Sequence, residues 1–309
     1  MRGKLKQTIL PIITALIWGT AFVAQDVCAD HITAMTFNTL RFFIAVVFLI
    51  IVKAVIFLAR RSIKGSRLDT LRPPRGEYAK RLFIAAFLCG TALAVASILQ
   101  QAGMDRGTDS GKSGFITALY VVLVPIGGLF LKKRVRPVFW LALFLAVTGL
   151  YLLCINGSLT LAPGDLLTLL CAVAFTVQIL LIDRFAPGLD SIDFCCAEFI
   201  TAGVWSLIGM LLFESPSLPA IGECILPVLY VAIFSSGVAY LLQIVAQREG
   251  DPAIVTILFS LEAVFSAIAS AIILRQRMSL REYTGCALMF AAVIIAQLPA
   301  KSAPSETKE

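Results

Sequence analysis

Val95-Ala96-Ser97-Ile98-Leu99-Gln100 recurs 143 residues later as Val238-Ala239-Tyr240-Leu241-Leu242-Gln243. The same shift lays Leu131 on Leu274, Arg134 on Arg277 and Leu145 on Leu288. Further upstream a shift of 157 lays Ala15 on Ala172, Trp18 on Phe175 and Phe37 on Phe194. A single deletion reconciles the two shifts. It falls where the first copy carries the long basic stretch Arg60 to Lys80 and the second has only Glu214 to Glu223. Spaced self-similarity with the same order of segments and loops marks a duplicated unit.

Apolar runs define what is duplicated. They cover Thr8–Gln25, Met35–Leu58, Arg81–Gly103, Gly114–Leu131, Val138–Cys154, Asp165–Ile182, Ile192–Phe213, Ile225–Val245, Ala253–Leu274 and Tyr283–Leu298. Each approaches or exceeds the ~20 residues that carry a helix across a ~30 Å hydrocarbon core. The expected fold is therefore an all-α membrane protein of ten transmembrane helices, arranged as two five-helix repeats at 8–154 and 165–298 with a cytoplasmic tail at 299–309. Because five is odd, the copies enter the membrane from opposite sides and build a pseudo-symmetric cavity at their interface. That architecture suits a carrier.

Composition agrees. The chain is 59% hydrophobic and 15% charged, with a mean hydropathy of +0.91, against roughly 25% charged in soluble domains. Ten helices use most of the 309 residues, so loops are short and no soluble catalytic domain fits. The net charge of +7 reads as topology rather than as affinity for nucleic acid. With the N-terminus inside, most cations fall on cytoplasmic segments, including Arg2, Lys4 and Lys6, the stretch from Lys53 to Arg81, and Lys132, Lys133, Arg134 and Arg136. This is the positive-inside bias, with anionic headgroups as a secondary contact. Arg275, Arg277 and Arg281 disagree, since a strict ten-helix count puts them outside. The basic start and the small residues near Ala24 mimic a secretory signal peptide, but nine further spans favour its retention as the first helix. The eight cysteines form no CxxC spacing and read as small core residues. The single histidine, His31, reads as a surface residue of a short outer loop with Asp26 and Asp30.

Polar side chains inside a span are expensive, so their positions carry most of the functional signal. Arg41 is the sharpest case: a central arginine costs roughly 2.5–3.5 kcal/mol on insertion scales. Asn38, one turn earlier, shares its face. Arg41 either faces a watered cavity, binding an anion or pairing at a gate, or snorkels to headgroups only ~10 Å away at ~1.5 Å per residue. Glu198 occupies the equivalent place in the second half, but inversion puts it nearer the inner edge. Glu262, about ten residues into the ninth helix, lies closer in depth to Arg41 and is the better partner for it or for a cation or proton. Its structural alternative is a carboxyl held by helix-interior hydrogen bonds.

Ser236, Tyr240, Gln243 and Gln247 follow intervals of four, three and four on the eighth helix, which is one helical face. They line a pathway or glue helices together. The ninth helix answers with Glu262, Ser266 and Ser270, flanked by small Ala263, Ala267 and Ala271. Trp18 stands halfway along the first helix, away from the interfacial belt where tryptophan gathers, and reads as core packing or as an aromatic substrate wall. Gln100, Gln101, Tyr120 and Gln178 are weaker candidates of the same kind. No HExxH, GxxxxGK[ST] or nucleophile–histidine constellation occurs. No enzyme activity, cofactor or metal is therefore expected, and uphill transport would have to draw on a proton or other ion gradient.

The run Ala15-Leu16-Ile17-Trp18-Gly19-Thr20-Ala21-Phe22, Arg41, the run Gly114-Phe115-Ile116-Thr117-Ala118-Leu119-Tyr120-Val121-Val122-Leu123-Val124-Pro125, and Leu261-Glu262-Ala263-Val264-Phe265 resemble the EamA branch of the drug/metabolite transporter superfamily. The resemblance covers Thr8 to Leu298 in two units. It implies ten helices, both ends cytoplasmic and a central cavity opened alternately to either side. Two departures stand out. Where that family often has proline after the late glutamate and an acidic residue ending the fourth and ninth helices, this chain has Ala263, Lys133 and Gln276. The missing proline removes an expected kink. The first helix also lacks the buried glutamate of the small multidrug exporters, so proton exchange is not borrowed from them.

The expectation is a multi-pass carrier of the inner or plasma membrane that exports small organic metabolites such as amino acids. Its partners are that solute and membrane lipids. Trp18, Asn38, Arg41, Tyr120, Ser236, Tyr240, Gln243 and Glu262 would form the substrate site. An uncoupled, channel-like facilitator and a lipid-handling membrane protein are the alternatives.

Overall fold

The computed structural model describes residues 2–62, 75–108, 110–130, 137–155, 163–273 and 279–298. Lys64, Arg67, Arg72, Leu131, Lys132, Lys133, Arg134, Arg136, Leu274, Arg275, Gln276, Arg277 and the tail 299–309 lie outside the described residues, as do the side chains of Ser270 and Ala271. The elements in chain order are α1 (Arg2–Ala29), α2 (Ala34–Ser62), α3 (Arg75–Met104), α4 (Ser110–Ala118), α5 (Tyr120–Phe130), α6 (Pro137–Cys154) and α7 (Pro163–Phe185). They continue as α8 (Ser191–Phe213), α9 (Leu218–Glu223), α10 (Ile225–Tyr230), a π-helical segment (Val231–Tyr240), α11 (Leu241–Glu249), α12 (Pro252–Phe259), α13 (Glu262–Ile273) and α14 (Leu280–Ala296). No strand occurs among the described residues.

Eight stretches of the described residues are long and apolar enough to cross a membrane: Gln7–Ala29, Ala34–Ala59, Gly76–Met104, Lys112–Phe130, Pro163–Phe185, Ser191–Phe213, Ile225–Arg248 and Pro252–Ala269. Three of these combine broken helices: α4 with α5, α10 through α11, and α12 with α13. The expected fifth and tenth spans are the shorter helices α6 and α14. α14 opens with Leu280-Arg281-Glu282 under a Ser279 capping box, and those charges shorten its apolar run.

Burial is distributed as lipid demands. Phe57, Phe83, Phe144, Leu211 and Phe213 are exposed, whereas Asn38, Arg41, Gln101, Gln178, Glu198, Gln243 and Glu262 are buried. Hydrocarbon satisfies no hydrogen bonds, so polar groups turn inward.

The packing units are not the sequence repeats. One apolar core joins Ala15 of α1, Ala118 and Val121 of α4 and α5, Leu150 of α6, Ile257 and Val264 of α12 and α13, and Met289 of α14. A second joins Phe42 of α2, Leu93 of α3, Ile182 of α7, Phe199 of α8, and Tyr240 and Ile244 beyond them. Each core draws helices from both halves, so the repeats interleave. In the first core α6 and α14 meet backbone to backbone: a Cβ on Gly149 would lie 2.8 Å from the Gly285 carbonyl oxygen, and one on Gly285 would lie 2.7 Å from that of Gly149. Small residues permit such approach in membranes. Arg281 stacks on Tyr151 beside this crossing, 5.2 Å from the ring centroid, which gives that discordant cation an aromatic partner.

The start of α2 is held from two other helices. Glu214, after α8, accepts from the Met35 and Thr36 amides at 3.0 and 2.7 Å and from Thr36 Oγ1 at 2.7 Å. Asp105, after α3, accepts from the Ala34 amide at 3.0 Å. Carboxylates suit these unpaired N–H groups and the positive end of the helix dipole. Desolvation pushes the Asp105 carboxyl up to about 6, against the opposing pull of the Ala34 amide. A folded value above the ordinary 3.8 means that the folded state holds this proton more tightly. The group's contribution to stability is therefore present at low pH and lost as pH rises through about 6. Thermal melts between about pH 4 and about pH 7 should show wild type losing stability relative to Asp105→Asn as pH rises. Parallel profiles would refute this assignment.

Candidate functional site

Two helices that the 143-residue shift superposes break within two residues of equivalent positions. α4 gives way to α5 at Leu119, where the Leu119 amide reaches Ile116 O at 3.2 Å and the Val122 amide reaches Leu119 O at 2.9 Å. Pro125 within α5 cannot donate to Val121 and crowds its carbonyl, which weakens the following turn. α12 gives way to α13 at Ser260 and Leu261. There Ser260 Oγ donates to Ile257 O at 2.8 Å, Thr256 Oγ1 donates to Ala253 O at 2.9 Å, and the Leu261 and Ala263 amides make long 3.3 Å bonds to Leu258 O and Ser260 O, three residues back. Side-chain back-bonding and three-residue turns interrupt a helix without proline. The kink that Ala263 was expected to remove is therefore present, one turn's chemistry earlier.

The breaks place Tyr120 and Glu262 at the first positions of α5 and α13. The Tyr120 hydroxyl donates to Glu262 Oε1 at 3.0 Å, a bond between the two repeats. α1 crosses at this level: a Cβ on Gly19 would sit 2.5 Å from the Glu262 carbonyl oxygen and 2.8 Å from Phe265 Cβ.

A cavity opens beside this crossing. Trp18, Arg41, Tyr120, Tyr240, Gln243 and Glu262 line it, together with Phe22, Gln25, Gln100, Thr117, Phe175, Ile179 and Ser235. Arg41 is only 3% exposed, so it turns to the cavity rather than to the headgroups. Its Nε donates to Ser236 Oγ at 3.0 Å, and its guanidinium lies 5.1 and 5.7 Å from the Phe42 and Phe37 ring centroids. Ser236 thus stands behind the wall as the residue that aims Arg41. Trp18 meets Tyr240 edge-on at 5.1 Å and Phe259 at 5.2 Å, and its Nε1 donates to Ser235 O at 3.2 Å. Together with Thr14 Oγ1 on Ala239 O, this ties α1 to the π-helical segment.

Asn38 does not line the cavity: its Nδ2 donates to Ala34 O at 2.8 Å and Ser97 O at 3.2 Å, fastening α2 to α3. Arg41 and Glu262 share the cavity without pairing, for the ion pairs found among the described residues are His31–Glu223, Lys53–Asp193 and Lys112–Asp165. Phe22, Phe175, Ile179 and Thr117 went unsingled in the sequence because apolar and small hydroxyl residues carry no penalty in a span. Gln100, a weaker candidate, reaches the wall and donates to Thr117 Oγ1 at 3.2 Å.

Residues 6–155 and 162–297 each match the EamA-like transporter family, and the chain belongs to that family. It is similar to an uncharacterized transporter of Archaeoglobus fulgidus, 30% identical over 93% of this chain and 84% of that one. An uncharacterized transporter of Methanothermobacter thermautotrophicus is 25% identical over the same shares. A protein of known crystal structure shares the fold, with a TM-score of 0.75 at 20% identity, covering 94% of this chain and 96% of that one. The protein is a multi-pass membrane transporter.

Overpacking at Gly19 should cost about 1–3 kcal/mol. Gly19→Ala is expected to lower the thermal midpoint in detergent, while Gly76→Ala, where an added Cβ meets nothing within 4 Å, leaves it unchanged. Equal midpoints for the two variants would contradict the close crossing.

Proposed function

We propose that this protein exports a small zwitterionic metabolite of the amino-acid class by alternating access across ten spans, with both termini cytoplasmic, in the inner or plasma membrane. One observation carries the reading: a buried arginine and a buried carboxyl, unpaired with each other, face one cavity at the breaks of two equivalent helices. Discontinuous helices at a repeat interface are the usual place for solute in secondary transporters. Arg41 would take the solute carboxylate in charge-assisted hydrogen bonds. Glu262, oriented by Tyr120, would take the ammonium group, and Trp18, Phe22, Phe175 and Ile179 would receive the side chain. Ser236, Tyr240 and Gln243 complete the wall and its support.

The interleaved cores suggest which bodies move. The repeats at 8–154 and 165–298 are units of descent. The α2–α3–α7–α8 bundle and the α4–α5–α6–α12–α13–α14 bundle each have their own apolar core, and the cavity lies where Arg41 of one faces Glu262 of the other. Rocking of these bundles about the cavity would open it to either side by parting the small core in which Tyr120, Val124, Val255 and Phe259 of one meet Ile179 of the other, while the two larger cores stay intact.

The test is counterflow of a panel of radiolabelled amino acids in proteoliposomes, paired with growth protection against toxic analogues. Removing one charged hydrogen-bond partner costs about 1.5–3 kcal/mol, so Arg41→Ala and Glu262→Gln should each weaken solute binding roughly 10- to 150-fold at normal expression. Unaltered transport in both variants would sink the assignment.

A further inference from the structure

Behind the cavity wall runs a chain of buried polar groups that the transport reading leaves unused. Glu198 in α8 is 0% exposed. Its Oε1 accepts from Gln178 Nε2 of α7 at 2.9 Å, and its Oε2 is buried without a hydrogen-bond partner among the described residues. Gln178 Oε1 in turn accepts from Gln243 Nε2 of α11 at 3.3 Å. Gln243 lines the cavity, and its own Oε1 is a second buried atom without a partner. The chain therefore begins at a carboxyl, ends at the solute cavity and has an open valence at each end.

Among the described residues no counter-ion pairs with Glu198. α3 presents Cys89, α8 itself presents Cys195, and the π-helical segment presents Tyr240. Arg41 of α2 is engaged by Ser236. An ion left uncompensated in such an interior is strongly disfavoured, and a proton removes that penalty.

Both glutamines can be turned end for end, because amide oxygen and nitrogen occupy interchangeable positions. With Glu198 ionised, Gln243 N–H donates to Gln178 oxygen and Gln178 N–H donates to the carboxylate, which leaves Gln243 with an acceptor oxygen at its far end. With Glu198 protonated, its O–H donates to Gln178 oxygen and Gln178 N–H donates to Gln243 oxygen, which leaves Gln243 with donor N–H groups there. The two states have the same number of hydrogen bonds and differ by one proton.

We propose that Glu198 is a proton-binding site, and that Gln178 and Gln243 relay its protonation, as a reversal of their amide groups, to a side chain that lines the cavity. The site itself rests on the polar chain alone, while its use in coupling rests on reading the cavity as the solute site. A solute whose binding favours one orientation of the Gln243 amide must shift the proton equilibrium, and the proton must shift solute affinity by the same factor. Glu262, held by Tyr120, is left for solute.

Infrared difference spectra of the purified protein in lipid nanodiscs, recorded from about pH 5 to about pH 9 without solute, read the site directly. In an Asp105→Asn background, which removes the other carboxyl that titrates in this range, a protonated-carboxyl stretch that titrates with Glu198 intact and in Glu262→Gln, but is absent from Glu198→Gln, is the expected result. Side-chain amide bands should move with it in wild type and stay still in Gln178→Leu, a variant that keeps the carboxyl. A carboxyl band unaffected by Glu198→Gln would overturn the site, and amide bands indifferent to the titration would overturn the relay. Proteoliposomes loaded with pooled radiolabelled amino acids then test coupling. A transmembrane pH gradient should change flux about tenfold in wild type and leave it unchanged in Glu198→Gln, whereas an equal response in both would overturn coupling. A titrating Glu198 in a protein that moves no amino acid would support the proton site and refute the solute assignment instead.

Discussion

A membrane interior offers no water to a polar group, and this structure is organised around that constraint. Every glutamine, carboxyl and guanidinium carried into a span must find a protein partner or a watered cavity. Asn38 finds carbonyls of α2 and α3, Arg41 finds Ser236 and the cavity, and Glu262 finds Tyr120. The apolar surface left over turns outward, as Phe83 and Phe213 do. Hydrophobicity cannot drive helices together in lipid, so close backbone crossings such as Gly149 on Gly285 do so instead.

Duplication and packing answer different questions here. The two-repeat pattern of the chain goes with the comparable breaks of α4–α5 and α12–α13. It does not make each copy a compact body, because each apolar core takes helices from both copies. Interleaving turns the interface between repeats into the interior of the molecule. The cavity lies there because broken helices leave backbone and side-chain polar groups that only an interior can satisfy.

Symmetry of backbone is combined with asymmetry of side chains. Tyr120 and Glu262 sit at matching breaks, yet one donates the hydrogen bond and the other accepts it. Arg41 and Glu198 occupy matching positions by sequence, yet Arg41 reaches the cavity and Glu198 lies one glutamine pair behind it. A symmetric cavity would bind a symmetric ligand. Divergence at these few positions gives it a cationic wall, an acidic wall and an aromatic side.

The sequence by itself determined the helices, the duplication and the polar residues worth attention, because apolar length and the expense of charge in hydrocarbon are properties of composition along the chain. Trp18, Arg41, Tyr240, Gln243 and Glu262 stood out for that reason. Tertiary structure alone decided that Asn38 is a fastener, that Ser236 aims Arg41, that Arg41 and Glu262 stay apart, and that Phe22, Phe175 and Ile179 form wall. It also decided the break at Ser260, where hydroxyl back-bonding does what a proline would have announced. These depend on which helix faces touch, and helices equally apolar on many sides do not encode their neighbours in a periodicity that can be read one residue at a time.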